Sequence, residues 1–360
     1  MDAARDPEFD KLMVDLIARG EDLDLDGQRL VVERTRTRAE KLEAAAAVPA
    51  EAIQPLTGEQ SNTSITVGDE AVLKFYRLLR DGMQPELEVT KFLTERTSFE
   101  AAPALLGSME LRRADGSSAA VAALFERVEN QGDAWTRLTE ALARHLRDNA
   151  YGEASTAEPA EEGAPVDPLL ILQFDPGETI GRRTGEMHAA LATVTGDPDF
   201  DPEAFDAASL EAIVENAKEE ARGALAVLRN AAPDGALSEE VAALLAAEGR
   251  ILEWFDGFRS AAPGGHRTRI HGDYHLGQLL VSRNDVVILD FEGEPGRPLE
   301  ERRAKTSPLR DVAGMLRSFD YAAFAARDRL GPGSGEAART GADAWRDDTS
   351  RVFLEAWETA

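Results

Sequence analysis

The tightest constraint in this sequence is a set of three polar side chains that must converge although the chain between them is largely apolar. Asp273 and Gln278 lie five positions apart in His271-Gly-Asp-Tyr-His-Leu-Gly-Gln278, and Asp290 follows a dozen residues later at the end of Val286-Val-Ile-Leu-Asp290. Gln278–Val281 and Val286–Asp290 both read as short strands. The segment therefore predicts a loop, two strands and a second acidic turn that brings Asp290 back towards Asp273 and Gln278. Such groups act together only in a cleft, and 360 residues suffice for one large domain or two lobes sharing one. Two lobes are expected.

Charge restricts what the cleft can take. The 40 basic and 67 acidic residues give a formal charge of -27, which repels a nucleic-acid backbone and an anionic bilayer alike. No nucleic-acid or membrane partner is expected. A phosphate-bearing ligand would need a local positive field from particular lysines, backbone amides or bound cations. The absence of cysteine excludes disulfides and thiolate metal sites. Met1-Asp-Ala-Ala-Arg-Asp6 has neither the basic start nor the apolar run of a secretion signal, and no stretch is long enough to span a membrane. A cytoplasmic protein is the expectation.

Along the chain, Phe9, Leu12, Met13, Leu16 and Ile17 recur at helical spacing, and Arg29–Arg34 reads as a strand, giving an N-terminal cap over 1–48. Residues 49–128 form a β-rich lobe with strands at 65–67, 71–76, 105–111 and 119–127, the last two joined by Ala114-Asp-Gly-Ser117. One helix, 85–96, interrupts them, with proline at its first position and acids in its first turn. Residues 129–360 read as a mainly helical lobe. Helices are expected at 179–193, 210–229 and 238–259 and from about Pro308, and the small, acidic, proline-rich stretch 148–165 is expected to be a mobile loop. The fold class is α+β, with an antiparallel-sheet N-lobe and a helical C-lobe.

The intervals between Asp273, Gln278 and Asp290 match those of the protein-kinase catalytic loop His-Arg-Asp-x-x-x-x-Asn and the later Asp-Phe-Gly, with glutamine replacing asparagine. Phosphoryl transfer needs an oriented hydroxyl and cations that neutralise charge on the phosphate oxygens. Asp273 is assigned to the hydroxyl, and Gln278 and Asp290 to magnesium with ATP. Lys74, in the apolar run Val72-Leu-Lys-Phe75, is the candidate phosphate-binding lysine. The polar loop before it offers Gln60, Ser61, Asn62, Thr63 and Ser64 over the phosphates. Either Glu86 or Glu88 on the following helix can pair with Lys74, and Glu88 is the choice. His275 and Trp135 are candidates for the acceptor side, His271 braces the loop, and His145 and His188 receive no role.

Several segments together resemble bacterial maltokinase, including the form fused behind trehalose synthase. They are Thr57–Ser64, Val72–Lys74, Phe92–Arg96, Asn130-Gln-Gly-Asp-Ala-Trp135, His271–Gln278, Leu289-Asp-Phe-Glu-Gly-Glu-Pro295 and Ser307–Tyr321. The resemblance implies an aminoglycoside-phosphotransferase-like kinase fold. It also implies transfer from ATP to maltose, giving maltose 1-phosphate for α-glucan synthesis, and association with trehalose synthase. Maltokinases continue beyond the helix at Phe353–Ala360 with a tyrosine-rich segment that this sequence does not show. Two alternatives stand beside this reading. One is a related sugar kinase acting on an amino sugar such as glucosamine, with Glu292 and Glu294 meeting the amine, and the other is a non-catalytic pseudokinase that binds a partner or glucan.

Overall fold

The computed structural model describes residues 3–56, 62–151, 174–231, 236–331 and 335–360. Helix α1 (Pro7–Arg19) starts at Asp6, whose carboxylate accepts the Glu8 amide at 3.1 Å, and ends at Gly20 with φ 67°. It buries Met13, Val14, Leu16 and Ile17, whereas Leu12 faces solvent. The hairpin β1 (Leu23–Leu25) and β2 (Gln28–Arg34) follows, then α2 (Ala39–Ala47). Strands β3 (Ile53–Pro55), β4 (Thr63–Val67) and β5 (Ala71–Phe75) precede α3 (Pro85–Arg96), and β6 (Leu105–Arg112) and β7 (Ser118–Glu126) complete this half. The turn between β6 and β7 is the expected one. Gly116 takes φ 87° there, and the Asp115 carboxylate accepts the Ser117 amide at 2.9 Å.

All seven strands form one antiparallel sheet in the order β1-β2-β6-β7-β5-β4-β3. Strands β1 and β2 of the expected cap therefore extend the sheet of the β-rich lobe, with β2 pairing to β6 from Arg29↔Arg112 to Arg34↔Gly107. The two halves of the molecule have separate cores. Ile65, Val67, Leu73, Met109 and Leu124 pack with α1 in one; Leu279, Val281, Ile288, Phe291, Met315, Phe319 and Phe353 centre the other. Helix α3 belongs to both halves in effect, since it follows β5 yet buries Val89, Phe92 and Leu93 in the second core.

The helical half comprises α4 (Ala134–Tyr151), α5 (Pro176–Leu191), α6 (Ala207–Ala231), α7 (Ala236–Ala246), α8 (Glu248–Gly257), α9 (Leu299–Arg303), α10 (Leu309–Asp328) and α11 (Gly335–Thr359). Its strands are the short pair β8 (Glu203–Ala204) and β9 (His266–Arg267) and the hairpin β10 (Leu279–Ser282) and β11 (Asp285–Ile288). The helix expected over 238–259 is broken at Ala247 (φ −87°, ψ 0°), beside Gly249, a poor helix former. The first residues of the loop expected over 148–165 are instead helical, since α4 runs through Tyr151; residues 152–165 lie outside the described ones. Among the described residues no helix is long and apolar enough to cross a membrane.

Helices α5 and α11 approach closely along Gly177, Gly181 and Gly185. A Cβ built on Gly181 would lie 2.3 Å from the Phe353 carbonyl oxygen and 2.9 Å from the Ala356 Cβ. Glycine in a helix costs about 1 kcal/mol relative to alanine, and here it is required by contact. Gly223 in α6 has open space around its Cβ position. The two alanine substitutions are thus expected to act with opposite sign in urea denaturation: Gly223→Ala raises stability by about 0.5–1 kcal/mol, and Gly181→Ala lowers it by about 1–3 kcal/mol through overpacking.

Candidate active site

Lys74 sits near the end of β5, where strand alternation turns it and its cross-strand neighbour Ser64 to the same face. Its ammonium meets three carboxylates: Glu86 at 2.8 Å, Asp290 at 2.8 Å and Glu292 at 2.6 Å. Tyr76 donates its hydroxyl to Glu86 at 2.6 Å, and the Asn62 amide donates to Glu292 at 2.7 Å. Burial opposes the charge on Lys74, but the three carboxylates outweigh it and push its pKa well up. Burial also pushes Glu86 up to about 7, since Lys74 relieves it only in part and Asp290 and Glu292 repel it. Asp290 is held below the usual carboxylate range despite burial, chiefly by Lys74, with Gln278 hydrogen-bonded to it. It takes φ 63°, a left-handed conformation that aspartate tolerates better than most residues.

The loop 271–278 is fastened from below. Asp311, in the first turn of α10, accepts the His271 amide at 2.8 Å and the Gly272 amide at 2.9 Å. Burial opposes its ionisation, yet His188 and these loop groups hold Asp311 below the usual range. The His271 ring accepts the Asp273 amide on Nδ1 at 3.3 Å, so its Nε2 carries the proton and donates to the Leu289 carbonyl at 2.7 Å. One imidazole thus ties the backbone of Asp273 to that preceding Asp290. Further along, the Tyr274 hydroxyl and Thr184 Oγ1 are 2.8 Å apart. The Thr184 hydroxyl is spent on the Ile180 carbonyl at 2.6 Å, so tyrosine is the donor. The Leu276 amide donates to Ser318 at 3.0 Å, and Gly314 of α10 leaves room for the Tyr274 carbonyl, which would lie 2.6 Å from a Cβ there.

Two clefts meet at this loop, and Gly277 lines both. The first, about 1160 Å³, is lined by Lys74, Glu86, Gln278 and Asp290, with Val72, Phe125, Leu280 and Leu289 as apolar walls. The second, about 1080 Å³, is lined by Asp273, His275, Asp133, Trp135 and Tyr321 among others. Lys74, Gln278 and Asp290 thus come together on one side of the loop, with Asp273, His275 and Trp135 on the other. His275 also caps the short turn after it, accepting the Gly277 amide on Nδ1 at 3.0 Å, and burial lowers its pKa.

Three expected placements are corrected. Lys74 pairs with Glu86, and Glu88 points away towards the helical lobe. Glu292 is drawn to Lys74 and Asn62, so it does not line the second cleft. Thr63 alternates to the other face of β4 and accepts the Arg77 Nε–H at 2.6 Å, while Asn62 and Ser64 line the first cleft. Gln60 and Ser61 lie outside the described residues. Asp311 and His188 were not singled out for a role: an acid in a first helical turn and a lone histidine in a helix carry no local signal.

The model of the phosphotransferase enzyme family (APH) matches residues 52–345. The chain belongs to that family. Curated relatives of this phosphotransferase-family chain include the glucosamine kinase of Mycolicibacterium smegmatis, 29% identical over 274 residues, covering 76% of this chain and 60% of that protein. The glucosamine kinase of Streptacidiphilus jiangxiensis is 27% identical over 322 residues, covering 85% and 63%. The chain thus spans about three fifths of the length of these relatives. Among solved structures, a glucosamine kinase (crystal form B) superposes with TM-score 0.65 at 24% identity, covering 98% of this chain and 74% of that one. A glucosamine kinase in complex with glucosamine, ADP and inorganic phosphate gives TM-score 0.64 at 24% identity, covering 94% and 81%. These structures share the bilobal α+β fold.

Glu88 in this phosphotransferase fold holds the lobes together. It accepts Arg303 through both oxygens at 2.7 and 2.8 Å and Arg269 at 2.8 Å. Burial opposes its charge, but Arg303 and Arg269 hold its pKa down. Arg269 is buried, with its guanidinium 5.0 Å from the centre of the Phe200 ring, and among the described residues its Nε and one terminal nitrogen have no hydrogen-bond partner. Glu88→Ala would strand this cation, so a loss of about 3–5 kcal/mol is expected from the urea midpoint. Adding Arg269→Met to the Glu88→Ala chain should recover part of that loss.

Proposed function

We propose that the chain is an ATP-dependent kinase that phosphorylates a hydroxyl of a small sugar. The observation that carries this reading is the single loop 271–278 forming the wall between two clefts, with Asp273 on one face and Gln278 and Asp290 on the other. The apolar walls of the first cleft suit a nucleobase, and Lys74 would hold phosphate oxygens at its inner end. The cation fit follows from charge. Glu86, Asp290 and Glu292 offer oxygens within 4.8 Å of one another around a single ammonium, so three carboxylates share one positive charge. An all-oxygen donor set of this kind suits a hard divalent ion such as Mg2+, held by Asp290 with Glu292 and Gln278. When bound, it neutralises charge on the phosphate oxygens.

Asp273 would align the acceptor hydroxyl and receive its proton as the oxygen forms a bond to the γ-phosphorus and the bond to ADP breaks. Among the described residues no lysine or arginine is ion-paired with Asp273, which leaves its carboxylate available to the acceptor. For the acceptor, an amino sugar such as glucosamine is the first reading. The relatives carry that name, and among the described residues Asp133 and Asp273 both face the second cleft without a cationic partner. Glu294 and Glu220 are already matched there by Arg297, and Glu294 by Arg310 at 3.1 Å as well. Maltose is the second reading, favoured by the motif resemblance and by the aromatic faces of Trp135 and Tyr321.

ADP release with glucosamine, maltose and an aminoglycoside, each with and without Mg2+, tests these readings. Mg2+-dependent turnover is expected to be highest with glucosamine; a clear preference for maltose reverses the order. Asp273→Asn should lower kcat by about 10²–10⁴-fold while ATP binding persists. Near-normal turnover by that variant would remove Asp273 from the mechanism.

A further inference from the structure

Asp311 is a buried carboxylate with no lysine or arginine paired to it among the described residues; beyond the two loop amides, it accepts His188 Nε2 at 3.1 Å. The state of His188 is fixed from its other side. Trp357, in the last turns of α11, places its indole Nε1 3.0 Å from His188 Nδ1, with the two rings edge to face at 86°. An indole N–H can only donate. Nδ1 must therefore hold a lone pair, and the single ring proton sits on Nε2, aimed at Asp311.

The seat of Trp357 is equally constrained. A Cβ on Gly185 would lie 2.9 Å from the Trp357 carbonyl oxygen, so α5 and α11 meet nearly backbone to backbone one turn before His188. Sliding or rotation of α11 at this point is opposed by the same contacts along Gly177 and Gly181.

We propose that His188, held in its Nε2-protonated tautomer by Trp357, is a positioning residue for phosphoryl transfer: it orients Asp311, which in turn fixes the His271 and Gly272 amides and hence the carboxylate of Asp273. The opposite tautomer would present a lone pair to a buried carboxylate. Asp311 would then lose its third donor and rotate, and both loop amides would lose part of their hold. The chain of contacts runs from α11 through α5 and α10 to the loop, and none of its first three members lies among the groups assigned above to ATP or to the acceptor hydroxyl. The inference rests on the kinase reading of Asp273 for its effect on turnover, but not for its effect on the loop.

The test uses the full chain and three variants. His188→Leu keeps bulk and removes the donor, His188→Gln returns an amide N–H near the position of Nε2, and Trp357→Phe keeps an aromatic ring without its N–H. Losing a hydrogen bond to a buried charge should lower kcat by about 10- to 100-fold in His188→Leu, with KM for ATP changed by less than about twofold. His188→Gln is expected to recover most of that loss. Hydrogen exchange at the His271 and Gly272 amides should be about tenfold faster in the Leu variant than in the Gln variant. With ¹⁵N-labelled histidine, the wild-type ring should give the Nε2–H pattern, and Trp357→Phe a mixture of tautomers. Equal exchange in the two His188 variants, unchanged kcat in His188→Leu, or an Nδ1–H ring in the wild type would overturn the proposal. If the wild-type chain phosphorylates no acceptor, the kinase reading fails, and exchange and tautomer still decide the positioning role.

Discussion

The arrangement of the site depends on one buried carboxylate. Asp311 accepts two consecutive amides of the loop that carries Asp273, at 2.8 and 2.9 Å. Consecutive N–H groups converge on one acceptor only when the backbone turns sharply, and Gly272 makes that turn at φ 85°. A side chain there would also press on Gly293, whose Cα lies 3.2 Å from the Cβ position, so the two acidic turns touch backbone to backbone. The His271 ring repeats the connection by bonding at once to the Asp273 amide and the Leu289 carbonyl. Fixing the loop therefore also fixes Asp290.

The acidic composition poses an electrostatic difficulty that the structure resolves locally and incompletely. Lys74 concentrates positive charge at the inner end of the first cleft, but three carboxylates share it. Burial, with Asp290 and Glu292 adding to it, pushes Glu86 up to about 7. A site of this kind is poor for a bare polyphosphate and far better for one that arrives with a divalent cation, because the cation balances both the phosphates and the carboxylates. The three carboxylates around Lys74 would thus favour a complexed anion at the site itself.

Much of this was legible because it is local. Asp273, Gln278 and Asp290 are set by intervals in one stretch of chain, and Lys74 by alternation in a short strand; both patterns survive whatever the rest of the molecule does. The choice between Glu86 and Glu88 was also written in the sequence. Glu86 shares a helical face with Val89 and Leu93, both buried, while Glu88 shares one with Lys91 and Glu95. That pattern marks Glu86 as the inward-facing acid of the pair, although Val89 and Leu93 themselves pack in the core of the helical half. His188 and Asp311 are different in kind, since they lie 123 positions apart and each looks ordinary in its own helix. Nothing short of the tertiary fold, which packs both helices against α11, could have joined them.

The misassigned glutamate shows how the lobes are coupled. Two residues apart on α3, Glu86 turns to Lys74 in the sheet and Glu88 to Arg269 and Arg303 in the helical lobe. Arg269 leads directly into the loop two residues before His271, and Arg303 follows the Asp290 turn on α9. A rotation of α3 about its axis would therefore disturb the lysine pair and both acidic turns together. The apolar anchors Val89, Phe92 and Leu93 oppose that rotation, and Phe92 stacks on Phe200 with ring centres 3.9 Å apart. Phe200 in turn covers the Arg269 guanidinium, so the stacking that holds the helix also shields the cation that Glu88 needs. The position of Lys74 relative to Asp273 is thus set less by the sheet that carries the lysine than by a helix whose apolar side belongs to the other lobe.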